Sequence, residues 1–342
     1  MSLRASSVGA ATSVWFPRAR TVELRVEPVG GAGANEIRVR ALASAISHGT
    51  EMLVFRGEVP TGLELDLPTL RGSFDFPIKY GYASVGRIVE AGPAVSSLVP
   101  GDVVFVHYPH QSEYVVPAAL ATRLPADVEL DAAVLLANLE TAVNVVLDAH
   151  PRVGDRAVVL GQGVVGLLVT QVLRRAGAAL VVGIDPIGLR RELSRRAGAH
   201  AAVEPDEAIA LVRDLTGATG ADLAIEASGN GAALAQALEL VGAAGTVVVC
   251  SWYGAKPVAL PLGAAFHRRR LRLVSSQVSG LDPVLAPRWD RTRRLAYARS
   301  LLAELDLQGL VTHRFPLERA ADAYRLVDEH PDQTVQVMLT YP

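Results

Sequence analysis

Cysteine is almost absent from this chain, with Cys250 the only one among 342 residues. A single thiol cannot form an intramolecular disulfide, a Cys-x-x-Cys redox pair or a zinc site built from thiolates. We therefore expect a protein of a reducing compartment and predict a cytoplasmic location.

A strong net charge and a long apolar run are absent as well. The formal net charge is -2 and the sequence pI is about 6.5, so no basic field attracts nucleic acid or an anionic membrane. The most apolar stretch, residues 158–173, is interrupted by glycines and falls short of the roughly 20 apolar residues that a spanning helix needs. The first fifteen residues lack the pattern of a secretory signal. We predict a soluble protein with no nucleic-acid and no membrane partner.

Apolar residues are plentiful, at 50% of the chain, and the chain is longer than one hydrophobic core usually organises. Short segments of alternating apolar and polar residues fill its first third, which predicts a compact β-rich unit. The predicted strands of this unit are residues 21–26, 36–43, 85–89, 102–107 and 113–116.

From residue 132 onward helices and strands alternate, which predicts a doubly wound parallel sheet covered by helices on both faces. The predicted strands are 156–160, 180–184, 223–226, 246–250 and 271–275, and the predicted helices are 132–149, 164–176, 189–197, 208–215 and 232–240. Helices over 295–305 and 318–328 and strands over 313–315 and 334–339 close the chain. We predict that this α/β domain comprises residues 139–276 and is inserted in a β-rich domain of residues 1–138 and 277–342.

A glycine motif follows the first strand of the alternating region. Residues 161–166 read Gly-Gln-Gly-Val-Val-Gly between a predicted strand and a predicted helix, which is the context of a Rossmann dinucleotide site. Gly161 would permit the tight turn, Gly163 the close approach of a pyrophosphate, and Gly166 the packing of helix on strand. The phosphates would bind N–H groups of Val164 and Val165, where the helix dipole favours negative charge.

An acidic residue follows the second predicted strand. Asp185 stands nineteen positions after Gly166, where a carboxylate accepts hydrogen bonds from the adenosine ribose. Because a carboxylate repels a 2′-phosphate, NAD(H) is the preferred cofactor. Arg190, which we include in the cofactor site, and Arg191 follow closely, so NADP(H) stays open as an alternative.

Later strands of the same region end in polar loops. Ligands of open parallel sheets bind beyond the carboxyl ends of the strands. Ser228, Gly229, Ser251, Ser276 and Gln277 are therefore candidates to line the nicotinamide side. The alternative for each of them is a purely structural loop.

Nearly the whole chain resembles the medium-chain dehydrogenase/reductase superfamily. The resemblance rests on the glycine motif, on residues 220–229 and on the flanking β-rich region. Within the superfamily the chain is most similar to the bacteriochlorophyllide a dehydrogenase branch. The matching runs are residues 76–82, 108–111, 114–117, 251–254 and 275–278.

The resemblance implies a GroES-like catalytic domain around the Rossmann domain. It also implies a reaction in which NAD oxidises a secondary alcohol, in that branch a ring-borne 1-hydroxyethyl group, to a ketone. Thr141 is assigned to the cofactor site. A homodimer formed through the predicted strand 271–275 is expected, because superfamily relatives commonly pair in this way.

The motifs depart from those of zinc-dependent relatives in three places. Where such relatives read C-G-[ST]-D, residues 48–51 read His-Gly-Thr-Glu, and where they carry a His-Glu pair after a glycine, residues 81–83 read Gly-Tyr-Ala. The third ligand position falls on Ala137. Because a catalytic zinc needs three protein ligands and an open position, we expect no zinc. The alternative recruits His107, His110 or Glu140 beside His48.

Without zinc, hydroxyl and imidazole groups must hold and move the proton. The resemblance places Thr50 at the proton-relay hydroxyl and Tyr82 where a zinc-binding His stands. We predict that Tyr82 polarises the substrate oxygen, that His48 is the base, and that Thr50 links them. The structural alternatives are a packing tyrosine with its hydroxyl satisfied and an ordinary histidine.

The substrate pocket is harder to place from sequence. We assign His110 and Glu140 to it and regard His107 as structural. The arginines between residues 288 and 294 either form a solvated face or bind an anionic substrate group through forked contacts.

The predicted function is a zinc-independent NAD(H)-dependent oxidoreductase that interconverts a secondary alcohol and a ketone. Its substrate is a small molecule, with an anionic one as an option. One alternative is a zinc-less enoyl or quinone reductase, in which the hydride goes to an activated C=C bond. The other is a catalytically silent nucleotide-binding sensor or scaffold.

Overall fold

The computed structural model of the chain describes residues 9–65 and 67–342. The prediction that no targeting segment is present concerns in part residues 1–8, which lie outside the described residues. The chain divides into two compact units: unit 1 comprises residues 1–137 and 307–342, and unit 2 comprises residues 138–306. No helix among the described residues has both the length and the apolar character needed to cross a membrane.

The strands and α-helices are numbered in chain order. The strands are β1 (Gly9–Phe16), β2 (Glu23–Val29), β3 (Glu36–Ile46), β4 (Ile78–Lys79), β5 (Ser84–Ala91), β6 (Val103–Val106), β7 (Glu113–Pro117), β8 (Ala121–Arg123), β9 (Arg156–Leu160), β10 (Leu180–Ile184), β11 (Ala201–Val203), β12 (Ala221–Glu226), β13 (Val241–Val249), β14 (Arg272–Ser275), β15 (Val311–Pro316) and β16 (Gln336–Thr340). The helices are α1 (Thr50–Arg56), α2 (Leu130–Ala133), α3 (Leu136–Ala149), α4 (Val164–Arg175), α5 (Gly188–Arg196), α6 (Pro205–Leu215), α7 (Gly231–Leu240), α8 (Arg291–Leu301) and α9 (Ala320–Glu329).

Unit 1 is β-rich. One sheet has the order β2-β1-β4, and a larger one has the order β15-β16-β3-β5-β6-β8 with β7 paired to β3. Strand β3 shows why these residues form strands: Ile37, Val39, Ala41 and Ala43 are all fully buried. A period of two places alternate side chains on one face of a strand, so this face of β3 belongs to the core of unit 1.

Unit 2 contains one parallel sheet in the order β11-β10-β9-β12-β13-β14. When these six strands are numbered 1 to 6 along the chain, the order in the sheet is 3-2-1-4-5-6. This is the arrangement of the doubly wound dinucleotide-binding fold. Residues 157–160 and 181–184 are buried throughout, as expected for strands covered on both faces. The predicted fold class, a Rossmann sheet together with a β-rich domain, is confirmed.

The second domain boundary differs from the predicted one. Residues 277–306 belong to unit 2, although the sequence led us to place them with the β-rich domain, and the first boundary falls one residue earlier than predicted. The physical reason is Arg294, a buried side chain that donates hydrogen bonds to Glu140 and Asn144 of unit 2. A charged group is buried only with such partners, so its segment stays with them.

Among the helices that differ from prediction, two have a clear physical reason. Helix α8 begins at Arg291, four residues before the predicted start, because the Asp290 side chain accepts a hydrogen bond from the Arg293 N–H at 2.6 Å and caps the helix. Helix α1 was not predicted, because seven residues are too few to show a helical period. Gly57, at φ +71°, ends it in the left-handed conformation.

Candidate dinucleotide site and hydroxyl cluster

The glycine motif forms a tight turn between β9 and α4. Gly161 has φ +90°, and a Cβ at this position would lie 2.7 Å from the Cα of Ser228. A Cβ on Gly166 would lie 1.9 Å from the carbonyl oxygen of Gly161. Both positions therefore require glycine, the first for its backbone conformation as well as for space and the second for the close packing of α4 on the turn.

The remaining glycine of the motif leaves open space at the start of α4. Gly163 precedes the helix with an ordinary φ of -69°, and among the described residues no heavy atom beyond its two chain neighbours lies within 4 Å of the place its Cβ would take. Gly163 has no side chain to cap the helix, so the N–H groups of Val164 and Val165 can face an anion. Open space at the positive end of a helix dipole fits a pyrophosphate.

Asp185 lies beside this turn. Its Oδ2 accepts a hydrogen bond from the Gln162 N–H at 2.7 Å, and its Oδ1 accepts one from the Ile187 N–H at 2.9 Å. These bonds hold the carboxylate just beyond β10, where the fold binds ribose hydroxyls. The Arg190 guanidinium lies 3.9 Å from Oδ2, whereas Arg191 donates to the Asp185 carbonyl at 2.9 Å.

The residues that follow the strands share the carboxyl edge of the sheet. Each backbone N–H just past a strand donates to the end of the neighbouring strand. The bonds are Asp185 to Val203 (3.1 Å), Gly161 to Ile184 (2.8 Å), Ala227 to Leu160 (2.8 Å), Cys250 to Glu226 (3.0 Å) and Ser276 to Val249 (2.9 Å). The loops predicted to line the cofactor therefore begin side by side along one edge.

Glu226, which was not assigned from the sequence, organises the loop after β12. Its side chain is fully buried, and its Oε1 accepts hydrogen bonds from the N–H and hydroxyl of Ser228 at 2.7 and 2.6 Å and from the Gly229 N–H at 2.9 Å. The Gly229 N–H also donates to the Ser251 hydroxyl at 2.9 Å. Three of the predicted residues thus form one hydrogen-bonded group. A lone carboxylate ending an apolar strand is the signal that could have revealed Glu226.

The other predicted cofactor residues of unit 2 lie in α3 and in the loop after β14. Thr141 is half-buried in α3. The Ser276 hydroxyl donates to Asp148 Oδ2 at 2.6 Å, and burial raises the pKa of that carboxyl. The Gln277 side chain is exposed, and its Oε1 accepts a hydrogen bond from the Ser279 N–H. Ser276 is therefore tied to a buried polar group, while Gln277 shapes its own loop.

Glu140, which we assigned to the substrate pocket, contacts Arg294 instead. Glu140 Oε1 accepts hydrogen bonds from Nε and Nη2 of Arg294 at 3.1 and 2.8 Å, and the side chains are only 7% and 3% exposed. The structure corrects the assignment of Glu140, which does not line a substrate pocket, and it places Arg294 neither on a solvated face nor open to an anionic substrate group. Arg293 lies over the Trp289 ring at 4.3 Å.

Three hydroxyl groups meet in unit 1. The side chains of Ser47 and Thr50 lie near enough to the Tyr82 hydroxyl to lower its pKa, and Thr50 opens α1. Burial raises the pKa of Tyr82 to about 12, with a further rise from the negative charge of Glu51 and partial lowering by Ser47 and Thr50. The phenol is therefore protonated at neutral pH. The predicted link from Tyr82 through Thr50 to His48 stays a prediction, and the influence of Ser47 was not predicted.

A fully buried carboxylate lies next to these hydroxyl groups. Glu51 Oε2 accepts a hydrogen bond from the Ser47 N–H at 3.0 Å, and its Oε1 accepts from His110 Nε2 at 2.8 Å and from the Tyr324 hydroxyl. On the other side of the imidazole, Nδ1 lies 2.6 Å from the Ser44 hydroxyl. Glu51 stands at the acidic position of the C-G-[ST]-D pattern, which was the available signal for it.

His110 has no exposed surface, and both of its ring nitrogens are engaged. A neutral ring with its proton on Nε2 satisfies both partners, because a carboxylate only accepts and a hydroxyl can donate. A Cβ on Gly81 would lie 2.6 Å from the ring, so a glycine is needed there. His110 is therefore part of the buried support of the site, which corrects its assignment to the substrate pocket.

The residues at the three zinc-ligand positions are a poor donor set for zinc. Ala137 has no donor atom, Tyr82 supplies a protonated phenol, and His48 is the only imidazole of the three positions. Within residues 9–65 and 67–342, no three His, Cys, Asp or Glu side chains are grouped to hold a metal. The His107 ring packs edge-on against Phe105, with 5.0 Å between centroids. This donor set does not fit a catalytic zinc.

Comparisons with known proteins agree with this architecture. The zinc-binding dehydrogenase family matches residues 164–291. D-guloside 3-dehydrogenase of Escherichia coli (strain K12) is 31% identical over 331 residues, which is 90% of this chain and 93% of that protein. The 2-desacetyl-2-hydroxyethyl bacteriochlorophyllide A dehydrogenase of Rhodobacter capsulatus is 28% identical over 316 residues, 88% of each. The crystal structure of an alcohol dehydrogenase from E. coli CFT073 with NADH superposes with a TM-score of 0.79 at 21% identity, over 97% of this chain and 99% of that one.

Proposed function

The chain belongs to the zinc-binding dehydrogenase family of the medium-chain dehydrogenase/reductase superfamily, and on this basis we propose that it is an NAD(H)-dependent oxidoreductase that interconverts a secondary alcohol and a ketone without zinc. The observation that carries the proposal is the protonated Tyr82, which lies near Ser47 and Thr50 at a position where zinc-dependent relatives carry a metal ligand. A neutral phenol can polarise a carbonyl oxygen, which is the task that zinc performs as a Lewis acid.

The nicotinamide cofactor would be held by unit 2. The N–H groups at the start of α4 would bind the pyrophosphate over Gly163, and Asp185 would accept hydrogen bonds from the adenosine ribose. The cofactor, when bound, supplies or accepts the hydride. A carboxylate at position 185 favours NAD(H) over NADP(H). The positive charge of Arg190 nearby makes this preference smaller.

Replacing Asp185 with Ser should reverse the cofactor preference. The change removes a charged acceptor of ribose hydrogen bonds, each worth about 1.5–3 kcal/mol, so we expect the Kd for NADH to rise about 10- to 100-fold. Affinity for NADPH should rise, because the repulsion of its 2′-phosphate is gone and Arg190 remains. Fluorescence titrations with both cofactors measure this shift.

Asp206→Asn is the matched control for charge, since Asp206 is an exposed acidic residue of unit 2 in α6. It should leave both affinities unchanged. An Asp185→Ser protein that still prefers NADH as strongly as the wild type would contradict the assignment of Asp185 to the ribose.

Unit 1 would handle the proton. In ketone reduction Tyr82 would donate a hydrogen bond to the carbonyl oxygen, and this oxygen would take up the proton that His48 passes on through Thr50. In alcohol oxidation the hydroxyl proton leaves through Thr50 to His48, which serves as the base. Glu51 and His110 contact neither reactant and act as support, since Glu51 accepts the N–H of Ser47.

The contribution of Tyr82 should not change between pH 7 and pH 10. A proton donor is lost only as the pH rises through its pKa, and the pKa of Tyr82 lies at about 12. We therefore expect the ratio of kcat/KM for ketone reduction between the wild type and Tyr82→Phe to stay constant over this range. The measurement is a pair of pH–rate profiles. A ratio that falls toward one above pH 8 would mean that the phenol ionises in the working range.

The two relatives suggest which alcohols to test first. One is named for a D-guloside, dehydrogenated at position 3, and the other for a hydroxyethyl bacteriochlorophyllide, which supports an alcohol group carried by a ring compound as the substrate here. The test follows NADH absorbance with glycosides and ring-borne secondary alcohols and, in reverse, with the ketones. Enone and quinone panels run in parallel, with and without a metal chelator.

Turnover on the alcohol and ketone panels that survives chelation is the expected result. Turnover on enones or quinones alone would replace the proposal with a C=C reductase. NADH binding without turnover on any panel would favour a sensor or scaffold, and loss of activity on chelation would overturn zinc independence. The expected homodimer through β14, which lies at an edge of its sheet, stays a prediction.

A further inference from the structure

A line of buried polar side chains runs along α3. Glu140, Asn144 and Asp148 are spaced four residues apart, so they share one face of the helix, and they are 5%, 0% and 9% exposed. A buried polar group is costly unless it is hydrogen-bonded. The partners of this face therefore indicate its role.

Arg294 of α8 provides the partners for the first half of the face. Besides its two bonds to Glu140 Oε1, its Nη1 donates to Asn144 Oδ1 at 2.7 Å and to the Gly280 carbonyl at 3.2 Å. One guanidinium thus joins α3, α8 and residues 276–280, here called the 276–280 segment. Only the rigid fork of arginine can bind three partners in fixed directions.

Ser276 joins the same network at its other end. The Asn144 side-chain amide donates to Asp148 Oδ2 at 2.9 Å and to the Ser276 hydroxyl at 3.3 Å, and that hydroxyl donates to Asp148 at 2.6 Å. Arg294 only donates, so the amide oxygen of Asn144 must face it and the amide nitrogen must face Asp148. Hydrogen bonds therefore connect Arg294 through Asn144 to Ser276.

The 276–280 segment lies where the second half of a dinucleotide would end. It follows β14 at the carboxyl edge, and the Ser276 N–H extends the ladder to Val249. Strand β14 is four positions from β10 in the sheet, about 19 Å at the usual strand spacing. A dinucleotide with its adenosine ribose at Asp185 crosses the glycine turn and places its other nucleoside on the β14 side.

We propose that Arg294 is a positioning residue for the nicotinamide end of the cofactor, acting by holding the 276–280 segment against α3. The inference rests on the proposed binding of NAD(H). Stability alone does not account for the buried pair of Arg294 and Glu140, because apolar side chains of similar volume stabilise a core as well or better. What the pair adds is a fixed location for the segment.

The test compares NADH with ADP-ribose, which has the adenosine, the pyrophosphate and the second ribose but no nicotinamide. Two full-length variants are used: Arg294→Lys, which keeps the charge but loses the fork, and the double variant Glu140→Met with Arg294→Met, which keeps the packing without charge. We expect both to bind ADP-ribose within about twofold of the wild type and to bind NADH at least about tenfold more weakly. The emission maximum of bound NADH should also shift away from its wavelength in the wild-type protein.

Arg156→Lys is the matched control, because Arg156 opens β9 at the amino edge of the same sheet and pairs with Asp222. It should change neither affinity.

A parallel loss of NADH and ADP-ribose binding in the Arg294 variants would assign Arg294 to stability only, and unchanged NADH binding would also overturn the proposal. If the variants fail to fold, Ser276→Val must show the same selective loss of NADH binding. A wild-type protein that binds neither ligand would overturn the proposed function itself, and the inference with it.

Discussion

Replacing Tyr82 with Phe should lower kcat for ketone reduction by about 10²- to 10⁴-fold, the usual contribution of a positioned general acid. The variant loses only the hydroxyl that would polarise the substrate oxygen. The affinity for NADH should be unchanged, because every group assigned to the cofactor lies in unit 2, whereas Tyr82 lies in unit 1. Steady-state turnover and NADH titration of the same preparation separate the two quantities.

Tyr80→Phe is the control for this change. Tyr80 is a buried neighbour, with 6.1 Å between its ring centroid and that of Tyr82, so the control also removes one tyrosine hydroxyl from the same core. We expect it to keep turnover within a few-fold of the wild type. Full activity of Tyr82→Phe, or an equal loss in both variants, would remove Tyr82 from the mechanism.

Replacing Gly163 with Val should abolish cofactor binding while leaving the fold intact. The side chain would enter the space reserved for the pyrophosphate, so hydrogen bonds between the phosphates and the start of α4 would be lost. At about 1.5–3 kcal/mol for each hydrogen bond to a charged group, losing two of them weakens NADH binding by about 10²- to 10⁴-fold. Calorimetric titration with NADH and with ADP-ribose should show the same loss.

The stability of the Gly163→Val protein should change little. The φ of Gly163 is -69°, which any residue adopts, and among the described residues no heavy atom beyond its two chain neighbours lies within 4 Å of its Cβ position. Gly30→Val is the control, since Gly30 has equally open surroundings in unit 1. A large drop in Tm for Gly163→Val alone, or retained NADH affinity, would contradict the cradle assigned to Gly163.

The glycine turn and the strands beside it could be predicted closely because their determinants are local. Strands β9 and β10 have the predicted bounds, since strands buried on both faces read as short apolar runs between turn residues. Gly161 and Gly166 are required by the backbone at their own positions, and the Asp185 carboxylate bonds N–H groups nearby. Their places follow from the order of strand, turn and helix, which the sequence displays directly.

The polar residues of the core could not be predicted in the same way. Glu140 and Arg294 are 154 positions apart, and His110 is 59 positions from Glu51. Each is a residue type that is common in substrate-binding sites, and no local pattern reveals that its partner is another protein side chain. The boundary at residue 306 was missed for the same reason, because it depends on Arg294 being buried in unit 2.

The sequence by itself determined that this chain cannot hold zinc through several thiolates, because Cys250 is its only thiol. It also determined that a glycine turn and an acidic residue have the spacing of a dinucleotide site. Both follow from residue identity and spacing along the chain. Only the tertiary structure decided which polar side chains remain open to a ligand and which neutralise each other. A buried charged group is costly unless it has a partner. The packing of distant segments, rather than the neighbours in sequence, determines which partner it has.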